Sequence, residues 1–126
     1  MADPYHHALS SKRKHGGEPE DFLPVHLFFD SSKIATCDFR HRMAFHHSHG
    51  VDHCVRLFGP TITTSDGRQI PTRWIAEQHV KEDFGWIPSF ADWVRAIKPE
   101  PWMGRVPRIP GFDQPIATAP SRSDDQ

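Results

Sequence analysis

The chain has 126 residues, one domain's worth of sequence, with 15 Lys+Arg against 16 Asp+Glu and a formal charge of −1. That balance supplies no broad basic field for nucleic acid or an anionic membrane, and the longest apolar runs, such as Leu27-Phe28-Phe29, are far short of the ~20 residues a membrane span needs. Nine Phe and four Trp provide material for a core, twelve Pro argue against compactness throughout, and ten His is the one abnormal count.

Taken in chain order, Asp3-Pro4 reads as a helix cap followed by Pro at the first helical position, and Gly16-Gly17 ends that helix. Lys12, Arg13, Lys14 and His15 fall in its last turn, where cations suit the negative end of the helix dipole; a small phosphate-contact patch is the alternative. Glu18 to Asp30 reads as a second, short helical stretch. Pro24 can open a helix there but not continue one from Phe22, which leaves an apolar turn and a half from Val25 to Phe29. Asp30 is then expected to cap the next helix.

Lys33 to Phe58 is expected to be one long central helix ending at Gly59-Pro60. Ile34, Cys37, His41, Ala44, Ser48, Val51, Val55 and Phe58 alternate by threes and fours, the pattern of a buried seam. A second seam runs through Phe39, Met43, His47, Gly50, Cys54 and Leu57. Gly50 suggests a close neighbour or a kink. On such a helix Cys37 and Cys54 lie too far apart for a disulfide, so both are expected to be free thiols.

Thr61 to Ile70 reads as a β-hairpin turning at Asp66-Gly67. A helix from Pro71 to Gly85 and a shorter one from Phe90 to Ile97 follow. The fold expected is a mostly α, single small helical domain over residues 1–104, around the long central helix, with a Pro-rich extended tail over 105–126. The tail is a candidate contact for a protein partner or for a second copy of the chain. Trp74, Trp86, Trp93 and Trp102 are expected to serve packing rather than ligand stacking.

Several common signatures are missing: Cys-x-x-Cys, His-Glu-x-x-His, Gly-x-Ser-x-Gly, a glycine-rich phosphate loop, and the His-Asp dipeptide of metal phosphohydrolases. What stands out is the run of histidines from His41 to His53. On a helix His46, His49 and His53 share a face, and His49 and His53 have the i, i+4 spacing with which one face grips one metal ion. Imidazole suits zinc, copper, nickel and iron. One helix cannot surround an ion, so His79, with Glu82 and Asp83 beside it, or His26 is expected to complete the set. A softer set of His47, Met43 and Cys54 ranks below it, and a solvated polar face is the plain alternative.

Tyr5-His6-His7-Ala8, Asp38-Phe39-Arg40-His41-Arg42, His46-His47-x-x-Gly50, Ser65-Asp66-Gly67, Glu77 to Asp83 and Pro99 to Met103 together resemble a small family of bacterial and phage proteins that is a domain of unknown function. The resemblance spans residues 3 to 104 and implies no activity. It implies that His46, His47 and His79 belong to the family pattern, with Glu at the position of His49, whereas His53 and Cys54 are particular to this chain.

Two functions of different class follow. The first is a small cytoplasmic, histidine-rich protein binding a transition metal, zinc first, with Glu82 or Asp83 as the general base if a metal-bound water reacts. The second is a non-catalytic, phage-related interaction module whose histidines are structural. In the first, replacing His49 and His53 is expected to abolish binding.

Overall fold

The computed structural model describes residues 3–104. Among them the chain is mostly helical with one small hairpin, and it divides into two compact units, one ending at Phe90 and the other beginning at Ala91. The tail expected from residue 105 lies outside the described residues.

Helix α1 spans Pro4–His15. Asp3 caps it as its sequence demands, its carboxylate accepting from the His6 N–H at 3.0 Å. The basic last turn is tied down: Lys12 pairs with Glu18 and Lys14 with Glu82, each at 3.4 Å.

Helix α2 spans Pro19–Asp30 without a break, so Pro24 does not restart it as expected. A proline in the second turn forfeits only the bond to the Glu20 carbonyl, and both residues are exposed, so the cost of continuing the helix through Pro24 is small. Phe22, Val25 and Phe29 then bury one face of α2.

The long central helix from Lys33 to Phe58 does not form. Two 3₁₀ turns, Ser31–Ile34 and Phe39–Ala44, precede a helix α3 that starts only at Ser48 and ends at Phe58. Thr36, Cys37 and Asp38 are weak helix formers, and the Asp38 carboxylate accepts from the Arg40 N–H at 3.0 Å, capping a new turn instead of continuing an old one. At His47 the backbone is extended (φ −163°, ψ 172°), and this residue caps α3. The first halves of the two expected seams therefore do not form continuous buried stripes: Ile34 of the first is 95% exposed and Phe39 of the second 62%, while His41 of the first is buried.

Strands β1 (Thr61–Thr63) and β2 (Gln69–Pro71) pair antiparallel with Ile62 opposite Ile70. Helix α4 spans Thr72–Phe84 and stops at Gly85, whose left-handed backbone (φ 83°) favours glycine. Helix α5, Phe90–Val94, is shorter than its sequence suggests.

The core of the first unit joins Phe22, Val25 and Phe29 of α2 to Val51 and Cys54 of α3, Ile70 of β2, and Ile75, Ala76 and Val80 of α4. Burying a side chain such as Phe22 or Phe29 contributes about 2–3 kcal/mol. Trp74, Trp86 and Trp102 are exposed and so do not fill the core, while Trp74 of α4 stacks on His15 of α1 at 5.9 Å, a helix-packing role as expected. Cys37 is an exposed free thiol and Cys54 a buried one, its pKa pushed up to about 12 by burial, so neither forms a disulfide. Among the described residues no helix is long and apolar enough to cross a membrane.

Candidate metal centre

Next to the apolar core lies a buried polar one. His7, His26, His41, His46, His47 and His79 are all essentially inaccessible. Burying that many imidazoles requires partners for their ring nitrogens.

Asp30 closes α2, and its side chain does not cap the following turn as its sequence position suggests. It turns inward instead. His46 sits between the second 3₁₀ turn and α3, and His79 and Asp83 lie one turn apart on α4. One ligand-capable atom from each of Asp30, His46, His79 and Asp83 falls within 4.8 Å of all the others. His46 Nε2 is 3.0 Å from Asp83 Oδ2 and 3.6 Å from Asp30 Oδ1, while His79 Nε2 is 3.4 Å from Asp30 Oδ1 and 3.6 Å from Asp83 Oδ2. The Asp30 and Asp83 side chains are only 5% and 4% exposed.

The protonation states suit a cation. Burial lowers the pKa of His46, and lowers that of His79 to about 4, against an opposing pull from the carboxylates. Burial works against ionising Asp30, but His79, Lys33 and His46 outweigh it and bring its pKa down to about 2. Burial opposes Asp83 too, yet His46 and His7 hold it well below the usual carboxylate range. Near neutral pH the centre therefore offers two neutral imidazoles and two carboxylates, already in the deprotonated form that metal binding requires.

A second layer orients these groups. The outer oxygen of Asp83, Oδ1, faces His7 Nε2 at 3.4 Å and the Arg42 guanidinium at 3.6 Å. His7 Nδ1–H donates to Glu82 Oε1 at 2.7 Å. Burial opposes a charge on His7, but Asp83 and Glu82 prevail and its pKa is raised. His41 Nδ1–H donates to the Asp38 carbonyl at 2.7 Å, and its Nε2 lies 3.3 Å from Asp30 Oδ1. His26 contacts His79 through Nδ1 at 2.9 Å and Ser11 through Nε2 at 2.8 Å. Atoms of His7, His26 and His79 form a second close group.

Of the residues expected from the sequence, the structure thus brings together His46 and His79, with His26 directly behind His79. His49 and His53 join neither group. Both are exposed on α3 and His46 precedes that helix, so the three do not share a helix face. His53 stacks on Phe45 with the rings 6.0 Å apart. His47 is a cap rather than part of a soft metal set: its Nδ1 accepts from the Gly50 N–H at 3.0 Å and its Nε2–H donates to the Met43 carbonyl at 3.0 Å. Asp30, His7 and His41 escaped the sequence reading. Asp30 looked like a cap, and the nearest signal for the centre was the i, i+4 pair of His79 and Asp83.

A family model described as Domain of unknown function (DUF6915) matches residues 2–103. No curated protein and no solved structure matches the chain.

Proposed function

The chain belongs to the DUF6915 family, whose description assigns no activity, and from its own side chains we propose that it binds one zinc ion through Asp30, His46, His79 and Asp83. The observation that carries this reading is the convergence of two imidazole Nε2 atoms and two carboxylate oxygens on one buried point. Two carboxylates held close together in a low-dielectric interior repel unless a cation lies between them.

Donor type and spacing together favour zinc: the two imidazole nitrogens disfavour calcium and magnesium, which take oxygen ligands. Zinc binds His nitrogen and carboxylate oxygen at ~2.0–2.2 Å, so the edges of its tetrahedron are about 3.3–3.6 Å. Neighbouring ligands of an octahedral ion at the same bond length would be only about 2.8–3.1 Å apart. Of the six edges, the four between imidazole and carboxylate measure 3.4, 3.6, 3.6 and 3.0 Å, the first three matching the tetrahedron, and the other two are no longer than 4.8 Å.

Four protein ligands fill a tetrahedral ion, and a filled site is structural rather than catalytic. Such an ion would tie the end of α2 to the start of α3 and to the last turn of α4. A reducing compartment, such as the cytoplasm, suits the exposed Cys37 thiol.

The test is metal analysis of untagged protein purified without a metal column. We expect one equivalent of zinc to survive dialysis, and a His79→Ala variant to retain none while circular dichroism still reports helix. No retained metal, together with no saturable binding when micromolar zinc is added back, would overturn the proposal.

A further inference from the structure

Behind His79 runs a chain of hydrogen bonds whose direction can be deduced from one end. It begins at Gln78. The Gln78 amide nitrogen donates to the His7 carbonyl at 3.1 Å and to Glu82 Oε2 at 3.2 Å, and both of these only accept. The other end of the amide, Oε1, therefore faces Ser11, and an amide oxygen cannot donate.

Ser11 has a single hydroxyl proton and three acceptors within reach, Gln78 Oε1 at 2.9 Å, the His7 carbonyl at 3.1 Å and His26 Nε2 at 2.8 Å. Given to His26, it would leave the Ser11 and Gln78 oxygens facing each other at 2.9 Å with no proton between them, whereas given to Gln78 it satisfies both and leaves the hydroxyl only lone pairs for His26. The 2.8 Å contact with Ser11 thus requires a proton on His26 Nε2. His26 is fully buried, and its hydrogen-bond partners are Ser11 and His79, neither of them a carboxylate. A second proton on its ring would be a buried charge without a counter-ion. His26 Nδ1 is consequently a bare acceptor, and the 2.9 Å contact between the two Nδ1 atoms requires His79 to donate.

We infer that His26 is a positioning residue, not a metal ligand: with Ser11 and Gln78 behind it, it locks His79 in the Nδ1–H tautomer and leaves the Nε2 lone pair directed at Asp30 and Asp83. The inference rests on the proposed zinc site and names the device that prepares it. The chain is static, because an amide at its end cannot pass a proton onward. Its logic is that of a metal-bound histidine held by a hydrogen bond from its other nitrogen, here with an imidazole as the acceptor.

The experiment uses the full chain loaded with zinc, labelled with ¹⁵N-histidine, and reads the two tautomers by long-range ¹H–¹⁵N correlation. We expect His79 as Nδ1–H with Nε2 on the metal, and His26 as Nε2–H. In parallel, His26→Leu, which removes the acceptor, should weaken zinc 10–100-fold and shift the visible absorption of the cobalt-substituted protein. His26→Gln, whose carbonyl can accept from His79, should recover most of that affinity. Should His26→Leu fail to fold, the tautomer measurement on the parent still decides. An Nδ1–H tautomer at His26 in protein that holds zinc would overturn this inference alone, as would parental affinity and an unchanged cobalt spectrum in a folded His26→Leu variant. Absence of zinc binding by the parent would instead overturn the zinc site and this inference with it.

Discussion

The two oxygens of Asp83 meet different partners. Oδ2 faces His46 and His79, while Oδ1 faces His7 and Arg42. Replacing Asp83 by Asn keeps the shape and removes the charge from both sides. On the inner side zinc affinity should fall by at least ~100-fold, because a neutral amide is a poor zinc ligand. On the outer side His7 loses one of the two carboxylates that raise its pKa, so that pKa should drop. Calorimetry reads the first effect and an NMR titration of His7 the second. A His49→Ala, His53→Ala double variant is the contrasting case. Both residues are exposed on α3, away from the buried groups, so it should bind zinc as the parent does. Loss of the metal in that variant would return the site to α3, where helical spacing alone had placed it.

At the scale of elements, the chain announces its helix ends better than its helix continuity. Asp3-Pro4, Gly16, Gly59 and Gly85 mark real boundaries because each acts locally, through a cap or a positive φ. The break between Ser31 and Ser48 is not local. A regular three-four alternation runs straight through it, yet the alternation says nothing of the inward turn of Asp30 or of the extended backbone at His47. The same break explains why the histidine spacing gives no shared face: His49 and His53 lie on α3, whereas His46 lies in the link before it. It also decides the sign of one substitution. In an ordinary helix interior Gly→Ala gains up to ~1 kcal/mol. At Gly50 an added Cβ would lie 1.8 Å from the Phe45 carbonyl oxygen, a backbone atom that cannot move aside cheaply. Gly50→Ala should therefore destabilise the domain by about 2 kcal/mol or more, through strain at the close approach. A chemical-denaturation midpoint at or above the parent's would show that α3 can slide away from Phe45.

For the molecule as a whole, the buried histidines set the response to acid. His26 and His79 have pKa values lowered to about 2 and about 4, chiefly by burial, while an unfolded histidine titrates near 6.5. Below pH ~6.5 the unfolded chain takes up protons that the folded chain refuses, so stability is complete above that pH and is lost as pH falls toward the folded values. His7 acts in the opposite sense, since its raised pKa adds stability below ~6.5 that disappears at higher pH. His46, also lowered, offsets it. Between pH 7 and pH 5, His26 and His79 together should cost the metal-free protein on the order of 4 kcal/mol, a large share of a small domain's stability. Asp30 and Asp83 extend the loss below their ordinary pKa of 3.8. Zinc should oppose all of this. At a concentration 100 times its Kd it adds ~2.7 kcal/mol, which for a domain of this size raises Tm by roughly 10–20 °C. It also competes directly with protons for His79 Nε2, so the acid transition should move to lower pH in zinc and return on chelation. Denaturant titrations at pH 7 and pH 5, each with zinc and with chelator, measure the four corners of this cycle. A chelated protein equally stable at both pH values would mean that the imidazoles titrate freely and the polar core is open to water. Because the folded His79 titrates near 4, the zinc effect should be nearly the same at pH 7 and pH 5, and a zinc effect that already collapses between them would mean that the ion is held by groups that titrate higher, away from His79.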